Sequence, residues 1–143
     1  MVTRLPGWRS MCRNDLTKSI EAQGDADNLP KPYSQDVLER RADSWFYQDG
    51  IGALKNSNVM YVRDASWANR LDAVEYAMDQ RGERYSLAAI KTESDEWYCS
   101  LLVWKAYDEQ GIDLDGWFFT FWVSPNTLDE SDKTTIVYSY HKS

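Results

Sequence analysis

The chain has 143 residues, enough for one domain with a sizeable core. Its net charge of −7 and pI near 4.7 argue against a nucleic-acid partner or an anionic membrane surface. No stretch approaches the ~18 apolar residues of a membrane span.

The opening "MVTRLPGWRSMC" has no apolar h-region, so the reading is of a soluble chain without a visible secretion signal. One domain over 1–143 is expected, with an upstream native segment left open. Seven Trp, nine Tyr and four Phe can fill the core and line a groove. Two cysteines and one histidine cannot make a four-ligand Cys/His zinc site, so no metal and no cofactor are assigned. A single Cys12–Cys99 disulfide stays open, but two free thiols are the favoured reading, since nothing marks the chain as disulfide-rich.

In chain order, 8–13 and 18–22 flank the turn-forming "NDLT" and read as a hairpin. "QGDADNLPKP", 23–32, is a polar loop, and "DVLERRADSWF", 36–46, fits either a strand or a short helix. "NVMYVRDA", 58–65, reads as a strand. A helix is expected over about 66–81, with Ser66 as N-cap and Gly82 past its end. Trp67, Leu71, Val74 and Met78 would share its buried face.

A second helix is expected over about 95–110, capped by Thr92 with Asp95, or by Ser94, and ended by Gly111. Its apolar face would carry Cys99, Leu102, Val103, Ala106 and Tyr107. "WFFTFWV", 117–123, reads as a buried strand, "SPNTLDES" as a polar helical turn and "TTIVYSY", 134–140, as a last strand. The order, a β-rich first half, two helices and then two strands, suggests an α+β class.

Cys99 sits in the first helical turn, where backbone N–H groups and the helix dipole favour thiolate, while Asp95 and Glu96 oppose it. Spacing alone also allows a small core residue on an apolar face.

"WYCSLLVWKAY", then "GIDLD", then "VSP", preceded by "AVEYAMDQRGERYSL", resembles the permuted papain-like amidases of the YiiX/YaeF type. These bacterial proteins are a circularly permuted branch of the NlpC-type cell-wall cysteine peptidases. The resemblance covers about 66–139 well and 7–65 less closely. With the apolar pattern, it implies a permuted papain-like (NlpC-type) α+β fold whose 95–110 helix packs its Cys99 face on an antiparallel sheet of 8–13, 18–22, 58–63, 117–123 and 134–140. It also implies a thiol hydrolase acting on an amide, with a peptide, peptidoglycan or lipid-amide ligand. By the same resemblance Cys99 takes the nucleophile's place. Glu21, in "SIEA", takes that of the residue orienting an imidazole, and Tyr98 lines the pocket or its oxyanion side.

Here the chain departs from the pattern. The family's Gly-His pair aligns with Gly7-Trp8, so Trp8 stands where the imidazole is expected. Indole N–H only donates and cannot act as a general base. Three readings follow: a degenerate member that keeps the fold for binding, a histidine on an upstream segment, or recruitment of His141, the single histidine. Hydrolase and catalytically silent binding domain both stay open.

Overall fold

The computed structural model describes residues 18–22, 37–41, 56–92, 95–116 and 120–141. In chain order the elements are β1 (Lys18–Ala22), β2 (Val37–Arg41), β3 (Asn56–Val62), α1 (Trp67–Asp79), β4 (Arg84–Tyr85), β5 (Glu96–Trp97), α2 (Cys99–Asp108), α3 (Pro125–Asp129) and β6 (Thr134–His141).

The strands form three two-stranded pieces. β1 and β2 are antiparallel, with Glu21 opposite Leu38. The segment 36–46, open between strand and helix in the sequence, is therefore a strand over Val37–Arg41. β3 and β6 form a longer antiparallel ribbon with a register shift between Val59 and Met60. β4 and β5 make a short parallel pair. The expected 8–13 strand lies outside the described residues.

Helix α2 is the hub, touching α1, α3 and β1. Ser100, Leu101, Leu102, Val103, Trp104, Ala106 and Tyr107 are all buried, so α2 is apolar nearly all round, as a central helix must be. Trp97, Tyr98, Leu114 and Val123 complete the core around it. Two backbone bonds tie β2 to the turn after α1: Val37 N–H to the Glu83 carbonyl, and Gly82 N–H to the Val37 carbonyl, each at 2.9 Å. Gly82 and Gly111 both have positive φ, which suits the glycine expected after each helix.

Four expectations need correction. The buried residues of α1 are Arg70, Ala73, Val74 and Ala77, whereas Trp67 is exposed and Leu71 and Met78 are half-buried. Small alanines allow α1 close to α2, and Arg70 earns its buried place by donating to the Val62 carbonyl at 3.1 Å beneath the Tyr61 ring. Spacing of large apolar residues therefore picked a stripe one step off the true contact.

The second helix begins at Cys99 rather than near 95, and its N-cap is Tyr98, with no side-chain capping bond. Residues 96–97 are taken by strand β5 instead. Thr92, Ser94 and Asp95 thus stand too early to cap it.

The expected strand 117–123 fails over its described part. Residues 120–123 have no ladder partner, and Phe121 and Trp122 are exposed. Their polar groups are satisfied elsewhere: the Phe121 carbonyl accepts from Lys91 N–H at 3.0 Å, and Val123 N–H donates to the Tyr98 hydroxyl.

Finally, Cys99 is exposed and does not pack on the apolar side of its helix. At the first helical position, the residues on either side of it are buried and it is not. No described helix is long and apolar enough to cross a membrane.

Candidate active site

The exposed Cys99 thiol stands at the head of α2, between two buried neighbours. A tryptophan and a tyrosine, both fully buried, bring the chain into α2. Trp97 is fixed by its indole N–H donating to the Glu83 carboxylate and by an edge-on contact with Tyr76, ring centroids 6.2 Å apart. Tyr98 is fixed at its far end, where the hydroxyl accepts the Val123 N–H at 2.7 Å. Ser100, just beyond the cysteine, donates its hydroxyl to the Val123 carbonyl at 2.8 Å. Both neighbours of Cys99 therefore grip one residue, and the thiol between them is left facing out.

Two phenols border the thiol. Burial raises the Tyr85 pKa, and the nearby Cys99 sulfur raises it further. Burial also raises the Tyr98 pKa; the Val123 N–H works against this, while Cys99 and Asp115 add to it. Tyr98 ends up neutral and structurally committed, with its ring stacked on Trp122 at 5.2 Å and 28°.

Past the C-terminal end of α2, "GIDLD" is an anchored loop. Asp113 accepts the Trp104 indole N–H at 2.8 Å and the Asp115 backbone N–H at 2.9 Å. Asp115 is buried, paired with Lys91, and accepts the Thr120 hydroxyl at 2.7 Å. These carboxylates hold the loops beside α2 in place. Among the described residues, no group of three or more His, Cys, Asp or Glu is placed to hold a metal ion.

Of the four site residues expected from the sequence, Cys99 and Tyr98 adjoin at the start of α2. Glu21 lies on β1, a strand in contact with α2; its side chain lies outside the described residues. Trp8 also lies outside them. His141 ends the ribbon opposite Asn56. Sequence reasoning missed Ser100 and Val123 as the clamp on Cys99, because "WFFTFWV" carries the apolar signal of a strand.

The family model of the permuted papain-like amidase enzymes (YaeF/YiiX, C92 family) matches residues 44–136. The chain belongs to this family. Its fold is the permuted papain-like α+β fold, as expected from the sequence. A solved structure, the metalloprotein yiiX from Escherichia coli O157:H7, aligns with a TM-score of 0.59. That alignment covers 74% of this chain and 72% of the other at 18% identity, which bears on fold alone. A search among curated proteins gave no significant match.

Proposed function

We propose that this chain is a cysteine amidase of the permuted papain-like type, with Cys99 as nucleophile and a proton-transfer apparatus weakened by Trp8. The observation that carries the reading is the exposure of Cys99 at the head of an otherwise buried helix. A cysteine kept for packing would be buried with its neighbours. Tyr98 supplies no side-chain cap, so the first-turn N–H groups of α2 are left for another acceptor.

The chemistry is acyl transfer. The Cys99 sulfur attacks the amide carbonyl carbon, and charge gathers on its oxygen beside the first-turn N–H groups. The C–N bond breaks, the amine leaves with a proton, and a thioester remains on Cys99. Water then cleaves the thioester, releasing the acid and restoring the thiol. Departure of the amine is the demanding step, because it needs a proton donor. In the family pattern that donor is a histidine held by a carboxylate; here Glu21 fills the second place and Trp8 the first. Loss of a general acid–base costs on the order of 10²–10⁴-fold.

The presence of Trp8 also favours a second reading, a papain-like domain that binds an acylated or peptidic ligand without turning it over. Amine release from N-acyl amides and cell-wall peptides separates the two. Slow release that disappears in Cys99→Ala supports the amidase. Saturable binding with identical traces for both proteins supports the binding domain.

A further inference from the structure

The described residues leave three large apolar side chains in water on segments bonded to the residues around Cys99: Leu87 at 64% exposure, Phe121 at 70% and Trp122 at 46%. None of them is needed for the core. Their positions follow from bonds already described. Residues 121–123 cross the head of α2, because Val123 is held by both Tyr98 and Ser100 and Trp122 is stacked on Tyr98. The loop carrying Leu87 is anchored at both ends to the same region. Ser86 N–H donates to the Trp97 carbonyl at 2.9 Å, and Lys91 N–H donates to the Phe121 carbonyl at 3.0 Å. Two segments bearing exposed apolar groups therefore flank the turn that presents Cys99.

We infer that Leu87, Phe121 and Trp122 form an apolar subsite beside Cys99 that takes the acyl chain of a neutral N-acyl amide. This rests on Cys99 being the attacking group. Charge decides between the ligand classes. The chain carries −7 overall, and Asp95 stands exposed shortly before the thiol, while the charge of Glu96 is offset by Arg84 at 3.4 Å. An anionic cell-wall peptide would meet repulsion here, whereas a neutral alkyl chain meets none and gains by covering exposed aromatic surface. A neutral acyl amide is the occupant that both the apolar shelf and the charge accept.

The test compares alkylation of Cys99 by iodoacetamide and by N-octyl iodoacetamide, resolved by peptide mapping with Cys12 as internal reference. The octyl reagent should favour Cys99 about tenfold over the ratio seen at Cys12, the gain expected when roughly two methylenes leave water. In Phe121→Ser, and separately in Leu87→Ser, the ratio should fall toward the Cys12 value. Equal ratios at both cysteines, or a Cys99 ratio unchanged in both variants, would overturn the subsite. Should Cys99 react with neither reagent, the nucleophile reading fails, and the subsite is then judged by ligand binding alone. For this, N-octanoyl glycinamide is titrated into Cys99→Ala while tryptophan fluorescence is followed. Saturable binding weakened by Phe121→Ser upholds the subsite. Absence of saturable binding, or equally tight binding of an acidic tetrapeptide, overturns it.

Discussion

The Tyr98 hydroxyl and the Val123 backbone N–H are joined at 2.7 Å in the core, so the residue before the thiol and the loop that crosses it are one unit. Removing the acceptor leaves a buried donor without a partner. Tyr98→Phe should cost about 1–3 kcal/mol. Thermal unfolding should show a fall of several degrees, and hydrogen exchange at the Val123 amide should quicken. Ser100→Ala, which removes the other grip on Val123, should cost about 1 kcal/mol. An unchanged Tm in both variants would mean that the clamp contributes nothing.

Breaking the Lys91–Asp115 pair should be far more damaging. Both side chains are largely buried, at 14% and 3% exposure. Asp115→Ala takes a buried carboxylate away from both Lys91, which lies over the Trp104 ring, and the Thr120 hydroxyl, and such losses run to about 3–5 kcal/mol. Replacing both partners, Lys91→Met with Asp115→Leu, should recover much of that loss in chemical denaturation. A single variant as stable as the parent would contradict the buried pairing.

Asp113 gives stability a pH dependence. Burial alone would raise its pKa, but the bonds from Trp104, Asp115 and Gly116, with the charge of Lys91, outweigh this and hold it below the ordinary value of 3.8. Its folded pKa is depressed, so its contribution is fully present above the unfolded pKa and is lost as pH falls through the folded one. Wild type should exceed Asp113→Asn in stability at pH 7, and the gap should narrow below the ordinary value of 3.8. Denaturant midpoints measured from pH 7 down to pH 2 check this; a gap that widens with acid would reverse the sign.

Much of the fold was legible because several local signals agreed. Ser66 caps α1 with Asn69 reciprocating, Ser124 caps α3, and glycines stand past both longer helices. The errors have physical causes. Phe121 and Trp122 look like strand residues, yet Lys91 and Tyr98 satisfy the polar groups of that segment, so no ladder is required. Arg70 reads as a surface residue until the Val62 carbonyl and Tyr61 ring accept it. Cys99 looked apolar by spacing, but spacing cannot tell the first residue of a helix from its interior. The resemblance, not the periodicity, identified it as the thiol to watch.

If Trp8 stands in the histidine's place, Trp8→His should restore part of the missing base. Amide hydrolysis should rise by on the order of 10²-fold, vanish in the Cys99→Ala background, and weaken when Glu21→Ala removes the residue proposed to hold the ring. Its rate should climb with pH through the imidazole range. Activity independent of residue 8 would direct attention to His141.

The most direct test separates attack by Cys99 from the missing proton donor. A p-nitrophenyl ester with a neutral octanoyl chain has a leaving group that departs as an anion and needs no proton. Intact mass and peptide mapping after brief exposure should find the octanoyl group as a thioester on the Cys99 peptide, formed with a burst of nitrophenolate and cleared slowly. Cys99→Ala should show neither burst nor adduct. An acyl group found on lysines alone, or equal nitrophenolate release by the parent and Cys99→Ala, would contradict Cys99 as the nucleophile.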